Sequence, residues 1–364
     1  MPARQTVDNQ VMSGNPTPLV VQYLYVHEPG EAFFYPTARS QSSVASVAQR
    51  YLECALTQAA SLQLQDVECD LALATNLQDR STLGRAGEAL LARIEALGVQ
   101  ILPTAYRHRP SDDGANYVSS RYVLDAIMTA TEGQPADRRL WFTDLDCVWA
   151  DAARTFAASP PAEEVGCIFP PYSPDWIAGI SKDGWTRNAI WSLARGMGAP
   201  EGKTLPPWIG GELLMGTPEP LRALVKACEE IDARLTAEGK VLGAEEEILS
   251  LVGALDLVRY HDLSSVARRI HTGARQQAPK LDVETAVQLG LWHLPAEKGL
   301  SFRRTASEML KGPGKRLRRD LSNTPRLAHR FNVAGTGLGR RLRDDAWLAG
   351  HRIHGKASAL LQRD

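Results

Sequence analysis

Two acids, Asp144 and Asp146, are the residues of this sequence whose type and spacing most clearly indicate chemistry. They lie in the stretch Arg139–Trp149, where an apolar run precedes them, one apolar residue separates them and apolar residues follow. Because side chains alternate along an extended chain, the two carboxylates are predicted to share one side at a strand end. Such a pair is a hard oxygen site for Mg²⁺ or Mn²⁺, which can in turn hold a diphosphate. Two solvated acids at a strand terminus are the alternative interpretation.

The overall composition is that of a soluble globular protein. The 364 residues are 44% hydrophobic and 23% charged, and this length suits one large domain with an appendage. Five cysteines without Cys-x-x-Cys spacing argue against a disulfide framework and against a structural zinc site. The first apolar stretch, Leu19–Val26, is too short to span a bilayer, so we expect a cytoplasmic protein.

Strand-like and helix-like segments alternate before the two acids. Strands are predicted at 19–26, 67–75 and 99–102 and in the run that ends at Asp144, with helices at 43–64, 83–97 and 117–131. Later strands are predicted at 165–169, 208–216, 257–261 and 291–294, and helices at 217–235 and from 244. This order predicts an α/β fold with a mostly parallel central sheet flanked by helices.

An Asp-x-Asp that follows three strand–helix units resembles the glycosyltransferase-A fold. The closest resemblance is to its glycogenin-like, lipopolysaccharide-galactosyltransferase-like branch, and it covers the order of elements over about residues 18–300. It implies a Rossmann-related catalytic domain at 18–302, between a polar arm at 1–17 and a basic tail at 303–364. It also implies Mn²⁺- or Mg²⁺-dependent transfer of a sugar from a nucleotide-diphosphate donor to a glycan, lipid-linked or other envelope acceptor, with no nucleic acid partner.

The resemblance assigns a metal site to three residues. Asp144 and Asp146 resemble the metal-binding Asp-x-Asp of that branch, and His293 resembles the late histidine that completes the metal shell. The segment from His293 to Lys298 is shorter than in the family and lacks its intervening glycine and its following Pro-Trp. His271 is the reserve ligand if His293 lies far from the acids.

Donor contacts are predicted for five residues. Lys298 resembles the lysine that meets the diphosphate, and Arg121, within Ser120–Tyr122, resembles an arginine that approaches the donor. A solvated turn residue and a helix-surface salt bridge are the respective alternatives. The remaining three lie where predicted strands end: Val26, Asn76 and Asp144.

Two further acids, Glu212 and Glu246, are predicted to be catalytic. Glu212 lies in an apolar stretch beside Gly210 and Gly211, where a ligand can approach the backbone, and it could orient the acceptor or act as a base. A buried salt bridge is the competing account. Glu246 lies in an acidic helix start that resembles the Asp-Gln-Asp of the family, although the helix macrodipole alone explains acids there. Four tryptophans fit either a sugar-stacking wall or an aromatic core: Trp176, Trp185, Trp191 and Trp208.

Other function classes use similar residues. The stretch Phe142–Val148 also resembles the nucleophile motif of haloacid-dehalogenase phosphohydrolases, with Asp144 as nucleophile, but that motif belongs on a first strand. A nucleotidyltransferase would carry a glycine-rich phosphate loop after the first strand, which His27–Gly30 does not supply. A non-catalytic module that binds nucleotide sugars is the third alternative.

The C-terminal tail is strongly basic. Residues 303–364 contain 15 Lys or Arg and 5 Asp or Glu residues, a net +10, whereas the rest of the chain carries −11. From about residue 338, apolar residues recur at helical spacing, which predicts a helix able to lie on an anionic membrane. The alternative is that this helix packs on the acidic body of the protein. The predicted location is therefore cytoplasmic, with peripheral membrane contact through the tail.

Overall fold

Ten strands build two sheets in a computed structural model that describes residues 16–28, 44–110, 118–175, 185–202, 204–272 and 281–335. In chain order the strands are β1 (Leu19–Leu24), β2 (Asp70–Thr75), β3 (Gln100–Pro103), β4 (Leu140–Thr143), β5 (Cys147–Trp149), β6 (Val165–Ile168), β7 (Gly210–Gly216), β8 (Tyr260–Asp262), β9 (Ala267–Arg269) and β10 (Leu291–His293). Seven of them form the main sheet in the order β3-β2-β1-β4-β7-β6-β8.

The main sheet is mostly parallel. β1 pairs in parallel with β2 and β4, β2 with β3, and β6 with β8, while β7 runs antiparallel between β4 and β6. The predicted fold class, a mostly parallel central sheet flanked by helices, is confirmed.

Helices cover both faces of this sheet. They are α1 (Val44–Gln63), α2 (Gly84–Glu95), α3 (Tyr122–Thr131), α4 (Ala152–Ala157), α5 (Arg187–Gly196), α6 (Pro218–Ala237), α7 (Glu245–Ala254), α8 (Val283–Val287), α9 (Arg303–Leu310), α10 (Lys315–Leu321) and α11 (Thr324–Arg330). Alternate residues of β1 enter two different cores: Val20 and Leu24 pack with α1 and α2, whereas Val21 and Tyr23 pack with α3, α6 and α7. The two-residue period of the strands thus assigns each side chain to one face.

The smaller sheet has the order β5-β10-β9. Through it, two late strands, β9 and β10, lie close to the two acids. The chain leaves β4 at Thr143, turns with a hydrogen bond from Cys147 N to Asp144 O, and continues as β5. β10 pairs antiparallel with β5 and parallel with β9, so that His293 lies opposite both Cys147 and Arg269. The sequence pattern predicts β10 but neither β5 nor β9, although all three strands have three residues.

The first strand ends two residues earlier than predicted. β1 stops at Leu24 because the backbone of Val26 pairs with a side chain instead of a neighbouring strand. Val26 N donates to Asn76 Oδ1 over 2.7 Å, and Asn76 Nδ2 donates to Val26 O over 2.9 Å.

The part of the basic tail that the structure describes packs on the body of the protein. α9, α10 and α11, with the residue that caps α11, contribute to the same core as α1 through five large buried apolar side chains: Met309, Leu317, Leu321, Leu327 and Phe331. The helix predicted from about residue 338 lies outside the described residues. None of the described helices combines the length and the apolar content that a bilayer crossing requires.

A histidine fixes the loop that follows β3. His108 Nδ1 lies 2.8 Å from Asp125 Oδ1 on α3, and His108 Nε2 lies 2.9 Å from Glu229 Oε1 on α6. Burial alone would lower the pKa of His108, but the hydrogen bonds and charges of Asp125 and Glu229 raise this pKa above its usual value.

Replacing His108 with Gln should remove a contribution to stability that exists mainly at acidic pH. Because the folded-state pKa is raised, the protonated ring stabilises the fold below the unfolded-state pKa of about 6.5. That contribution is lost as pH rises through the folded-state pKa. We therefore expect the difference in Tm between wild type and variant, measured by calorimetry, to be larger at about pH 5.5 than at about pH 8.5. A difference independent of pH would contradict this assignment.

Candidate functional site

Asp144 follows the end of β4 and is held in place by side chains from both faces of the sheet. Tyr23, at the end of β1, donates its hydroxyl to Asp144 Oδ1 over 2.5 Å. On the other face of the sheet, buried Gln58 of α1 donates its amide to Thr143 Oγ1 and to Asp144 O, each over 3.0 Å. The first carboxylate of the Asp-x-Asp therefore lies at a strand end whose backbone and side chain are both fixed.

The second carboxylate is buried between two cationic groups. Asp146 Oδ2 lies 3.1 Å from Lys298 Nζ and 3.2 Å from His293 Nε2. His293 Nε2 also lies 3.5 Å from Asp144 Oδ2. The ligand atoms of Asp144, Asp146 and His293 all lie within 4.8 Å of one another. The three predicted metal ligands are thus brought together, and the reserve ligand, His271, is not needed to complete the group.

The donor set of this cluster suits a divalent cation. Carboxylate oxygens with one imidazole nitrogen are ligands that Mn²⁺ accepts, and Mg²⁺ prefers the oxygens. Buried Asp146 Oδ2 makes no well-directed hydrogen bond to any described residue, although two cationic groups face it. Asp146 Oδ2 is therefore an acceptor with unused capacity near the ligand atoms of Asp144 and His293, as a metal ligand would be.

Opposite charges set the protonation of the cluster. Burial alone would raise the pKa of Asp146, but Lys298 and His293 hold this pKa well below its usual range. Burial alone would lower the pKa of His293, but Asp146 and Glu212 raise it to about 10. The pKa of Asp144 is raised by burial and by the neighbouring Asp146, against the charge of His293. His293 is therefore protonated at neutral pH without a metal, and ligation would release that proton.

Lys298 is positioned by an aromatic ring and by the turn that carries it. Its Nζ lies 5.0 Å from the centroid of the Tyr51 ring, within range of a cation–π interaction. The preceding residue, Glu297, is fully buried and accepts hydrogen bonds from Thr272 and Ser301, each over 2.5 Å, and from Asn332 over 3.0 Å. The end of α11 is thus tied to the segment that presents Lys298.

Both predicted catalytic acids belong to a buried ion-pair network centred on Arg269. Arg269 Nη2 lies 3.0 Å from Glu212 Oε2, and Arg269 Nε lies 3.2 Å from Glu212 Oε1. The same guanidinium contacts Glu246 Oε1 and donates to Tyr172 Oη over 2.7 Å. The salt-bridge alternative for Glu212 is therefore what the structure contains, and the catalytic roles of Glu212 and Glu246 stay predictions.

Sequence reasoning missed Arg269. The residue lies on β9, which is too short to give a strand pattern, and Arg268–Arg269 reads as a solvated basic pair. The signal that could have found it is the apolar spacing around it, which indicates a buried segment. Those apolar residues are Leu263, Val266, Ala267 and Ile270.

Two glycines of β7 leave space for carboxylates of the protein itself. A Cβ atom at position 210 would overlap Glu212 Oε2, and a Cβ atom at position 211 would overlap the side chain of Glu245. Glu245 begins α7 and was not assigned a role from the sequence. Its burial and the charges of Glu246 and Asp144 raise the pKa of Glu245 to about 8, so it is a carboxylic acid at neutral pH.

One cavity of about 270 Å³ joins most of these groups. Sixteen residues line it: Tyr23, Leu24, Tyr25, Tyr51, Ser119, Ser120, Asp144, Leu145, Asp146, Glu245, Glu246, Arg269, His271, His293, Pro295 and Lys298. Glu212 is not among the described residues on this wall. The cavity opens at the carboxyl ends of β1 and β4, where open α/β sheets bind ligands.

Three predicted donor-binding residues are not among the described residues that line this cavity. Arg121 is buried and makes a bidentate ion pair with Asp232, with distances of 2.7 and 2.8 Å. Val26 and Asn76 are engaged with each other through the two hydrogen bonds given above. Contact of these residues with a donor stays a prediction.

The described tryptophans pack in or against the core. Trp208 is buried and donates its indole N–H to Glu246 Oε2 over 2.7 Å, whereas Trp185 and Trp191 pack against the core that contains α5 and α7. Trp176 lies outside the described residues.

No protein-family model and no curated protein matches the chain. Solved structures do resemble it. The galactosyltransferase LgtC, in complex with donor and acceptor sugar analogs, is 11% identical with a TM-score of 0.41, covering 76% of this chain and 86% of LgtC. Mouse xyloside xylosyltransferase 1 is 10% identical with a TM-score of 0.43, covering 76% of this chain and 97% of that protein. The bifunctional glycosyltransferase WbbM is 9% identical with a TM-score of 0.46, covering 78% of this chain and 46% of WbbM.

These solved structures are glycosyltransferases. At such identities and scores they assign no donor, acceptor or residue role to this chain, so the case for an activity rests on the geometry of the site.

The two acids should respond differently to replacement by Asn. Asp146→Asn leaves Lys298 and His293 facing a neutral amide in a buried site, which should lower the free energy of unfolding by about 3 kcal/mol. Asp144→Asn should cost less, because the Asp144 side chain is 32% exposed and lies farther from the cations. Both variants should lose calorimetric Mn²⁺ binding in the presence of UDP or GDP. Equal stabilities in urea denaturation, or unchanged Mn²⁺ binding in both variants, would contradict the assignment.

Proposed function

We propose that this protein is a metal-dependent glycosyltransferase that moves a sugar from a nucleotide-diphosphate donor to a glycan, lipid-linked or other envelope acceptor. The observation that supports it best is the cluster of Asp144, Asp146 and His293 beside Lys298 on one cavity wall. Departure of a nucleoside diphosphate creates negative charge that the site must stabilise. The cluster could hold a divalent cation for this purpose, and Lys298 adds a second positive charge beside it.

Each residue of the cluster has a separate role in the proposal. Asp144, Asp146 and His293 would hold Mn²⁺ or Mg²⁺, which when bound stabilises the leaving diphosphate as a Lewis acid. Lys298 adds a preorganised positive charge to the same diphosphate. Tyr23 and Tyr51 hold Asp144 and Lys298 in place, so little reorganisation is needed during the reaction.

The two glutamates that line the cavity, Glu245 and Glu246, are proposed to face the sugar. Glu246 lies on the cavity wall and is fixed by Arg269 and Trp208, so we assign it to the side of the transferred sugar. Glu245, neutral at pH 7, could donate a hydrogen bond to a sugar hydroxyl. A cavity of about 270 Å³ is small, which suits the sugar and diphosphate rather than a complete acceptor.

A panel of nucleotide sugars with Mn²⁺ tests the proposal directly. Wild type should release nucleoside diphosphate from at least one UDP- or GDP-sugar, and chelation with EDTA should stop the release. Lys298→Ala should lower kcat by about 100-fold while Mn²⁺ still binds, because the lysine acts on the leaving group. Lys226→Ala is the matched control, since Lys226 is 76% exposed on α6. Turnover that is unaffected by both EDTA and Lys298→Ala would contradict the proposal.

Variants of the same site distinguish the proposed glycosyltransferase from a phosphohydrolase and from a non-catalytic binding module. A phosphohydrolase would release phosphate from p-nitrophenyl phosphate and lose that activity in Asp144→Asn. A non-catalytic module would bind a nucleotide sugar with Mn²⁺ and leave it intact in the presence of any acceptor.

We also propose that the protein works in the cytoplasm, with its basic tail in contact with an anionic membrane that presents the acceptor. The net charge of +10 over residues 303–364 supports this contact, since each basic residue near an anionic surface contributes about 1 kcal/mol. The apolar sides of α10 and α11 are occupied by the core, so the described part of the tail would contribute charge rather than insertion.

Vesicle co-sedimentation tests the membrane contact. Full-length protein should sediment with phosphatidylglycerol vesicles at low salt and be released at high salt, because salt screens these charges. A version that ends at residue 335 keeps the buried residues of α11 and should sediment less. Neutral phosphatidylcholine vesicles are the control. Equal sedimentation of the two proteins would make the tail an intramolecular element instead.

A further inference from the structure

His293 lies between the metal cluster and a buried ion pair. Its Nε2 faces Asp144 and Asp146, and its Nδ1 lies 3.6 Å from Glu212 Oε1. Glu212 is 1% exposed and comes from β7 of the main sheet, whereas His293 comes from β10 of the smaller sheet. The imidazole therefore has a carboxylate on each side.

Arg269 keeps Glu212 at that position. Its guanidinium forms a bidentate ion pair with the two carboxylate oxygens of Glu212, and it also contacts Tyr172 and Glu246. The strand register places Arg269 directly beside His293, and Arg269 Nε lies 3.3 Å from His293 Nδ1. A buried carboxylate without a cation would be costly, so Arg269 is what makes an ionised Glu212 tolerable behind the histidine.

Gly210 leaves the space that Glu212 occupies. The carboxylate of Glu212 turns back over Gly210, so that a Cβ atom there would overlap Oε2. The overlapping atom is the end of a flexible side chain, so Ala at this position should displace Glu212 with little change to the strand.

We propose that Glu212 and Arg269 form a positioning pair that orients His293 for metal binding, instead of contacting the acceptor. The inference rests on the proposed function, because His293 is the proposed metal ligand. A carboxylate at the far nitrogen of a ligating histidine fixes the ring and strengthens it as a donor. Glu212 Oε1 lies 3.6 Å from His293 Nδ1 and Arg269 Nε lies 3.3 Å from it, so both members of the pair approach the nitrogen that does not face Asp144 and Asp146.

Mn²⁺ affinity, measured by the electron paramagnetic resonance signal of free Mn²⁺, reports on this role without enzymatic turnover. Glu212→Gln should raise the Kd for Mn²⁺ by about 10- to 100-fold, the usual effect of losing such a partner. Gly210→Ala, which changes no charge, should raise the Kd in the same direction by displacing Glu212. Arg269→Lys keeps the positive charge but loses the bidentate ion pair with Glu212, so the Kd of this variant for Mn²⁺ should also rise.

A second buried contact between a carboxylate and an imidazole provides the matched control. Asp125 is buried and lies 2.8 Å from His108 Nδ1, and neither residue lines the cavity of the metal cluster. Asp125→Asn removes the same kind of contact, so it should lower Tm and leave the Kd for Mn²⁺ unchanged. This separates loss of positioning from a general loss of stability.

The outcomes distinguish this inference from the proposed function. Tight Mn²⁺ binding by wild type, with weaker binding by Glu212→Gln and Gly210→Ala but not by Asp125→Asn, supports the positioning pair. Wild-type affinity in both Glu212→Gln and Gly210→Ala overturns it and leaves the metal site standing. Wild type that binds no Mn²⁺, alone or with UDP or GDP, overturns the pair and the metal-dependent function together.

Discussion

The burial of Asp146 is the constraint on which the rest of the site depends. A carboxylate with 2% exposure cannot remain ionised without cations, and here Lys298 and His293 supply them. Both come from the end of the described domain, about 150 residues after the acid. Asp146 is therefore tolerated only when β10 has paired with β5 and the turn after β10 has closed over α1. The site cannot form before most of the chain has folded.

Each of the two sheets carries a different part of this site. The main sheet delivers Asp144 through β4 and Glu212 through β7, with Asp144 N bonded to Glu212 O over 3.1 Å. The smaller sheet delivers His293 and Arg269 in register on β10 and β9. The Asp-x-Asp is the link between the sheets, because β4 ends before it and β5 begins after it. Its two acids are placed by different sheets: Tyr23 fixes Asp144, Lys298 faces Asp146, and His293 lies beside both.

The sequence contains enough information for the scaffold and for part of the site. β1 to β4 and α1 to α3 are long or strongly patterned, so their period specifies type and order, and the two acids follow from their spacing. His293 and Lys298 are predicted only through the family resemblance. The partners of those residues do not follow from spacing. Glu212 and Arg269 are 57 residues apart, and Arg269 lies on a strand of three residues that has no local sequence pattern. The two glycines indicated close approach to the backbone, but only the packing shows that Glu212 and Glu245 occupy that space.

The charge balance of the described site gives a physical reason why binding of the proposed diphosphate would depend on a metal. Five acids surround the cavity or lie directly behind it, against three cationic groups: Asp144, Asp146, Glu212, Glu245 and Glu246 against Lys298, Arg269 and His293. The pKa of Glu245, raised to about 8, and the pKa of His293, raised to about 10, both favour less negative charge in the site near neutral pH. A diphosphate alone would add negative charge to a site that already resists it. Under the proposed function, a divalent cation held by Asp144, Asp146 and His293 would change that balance, because ligation would release the proton of His293 and would add positive charge beside the diphosphate. The same acids would then make nucleotide binding depend on the metal.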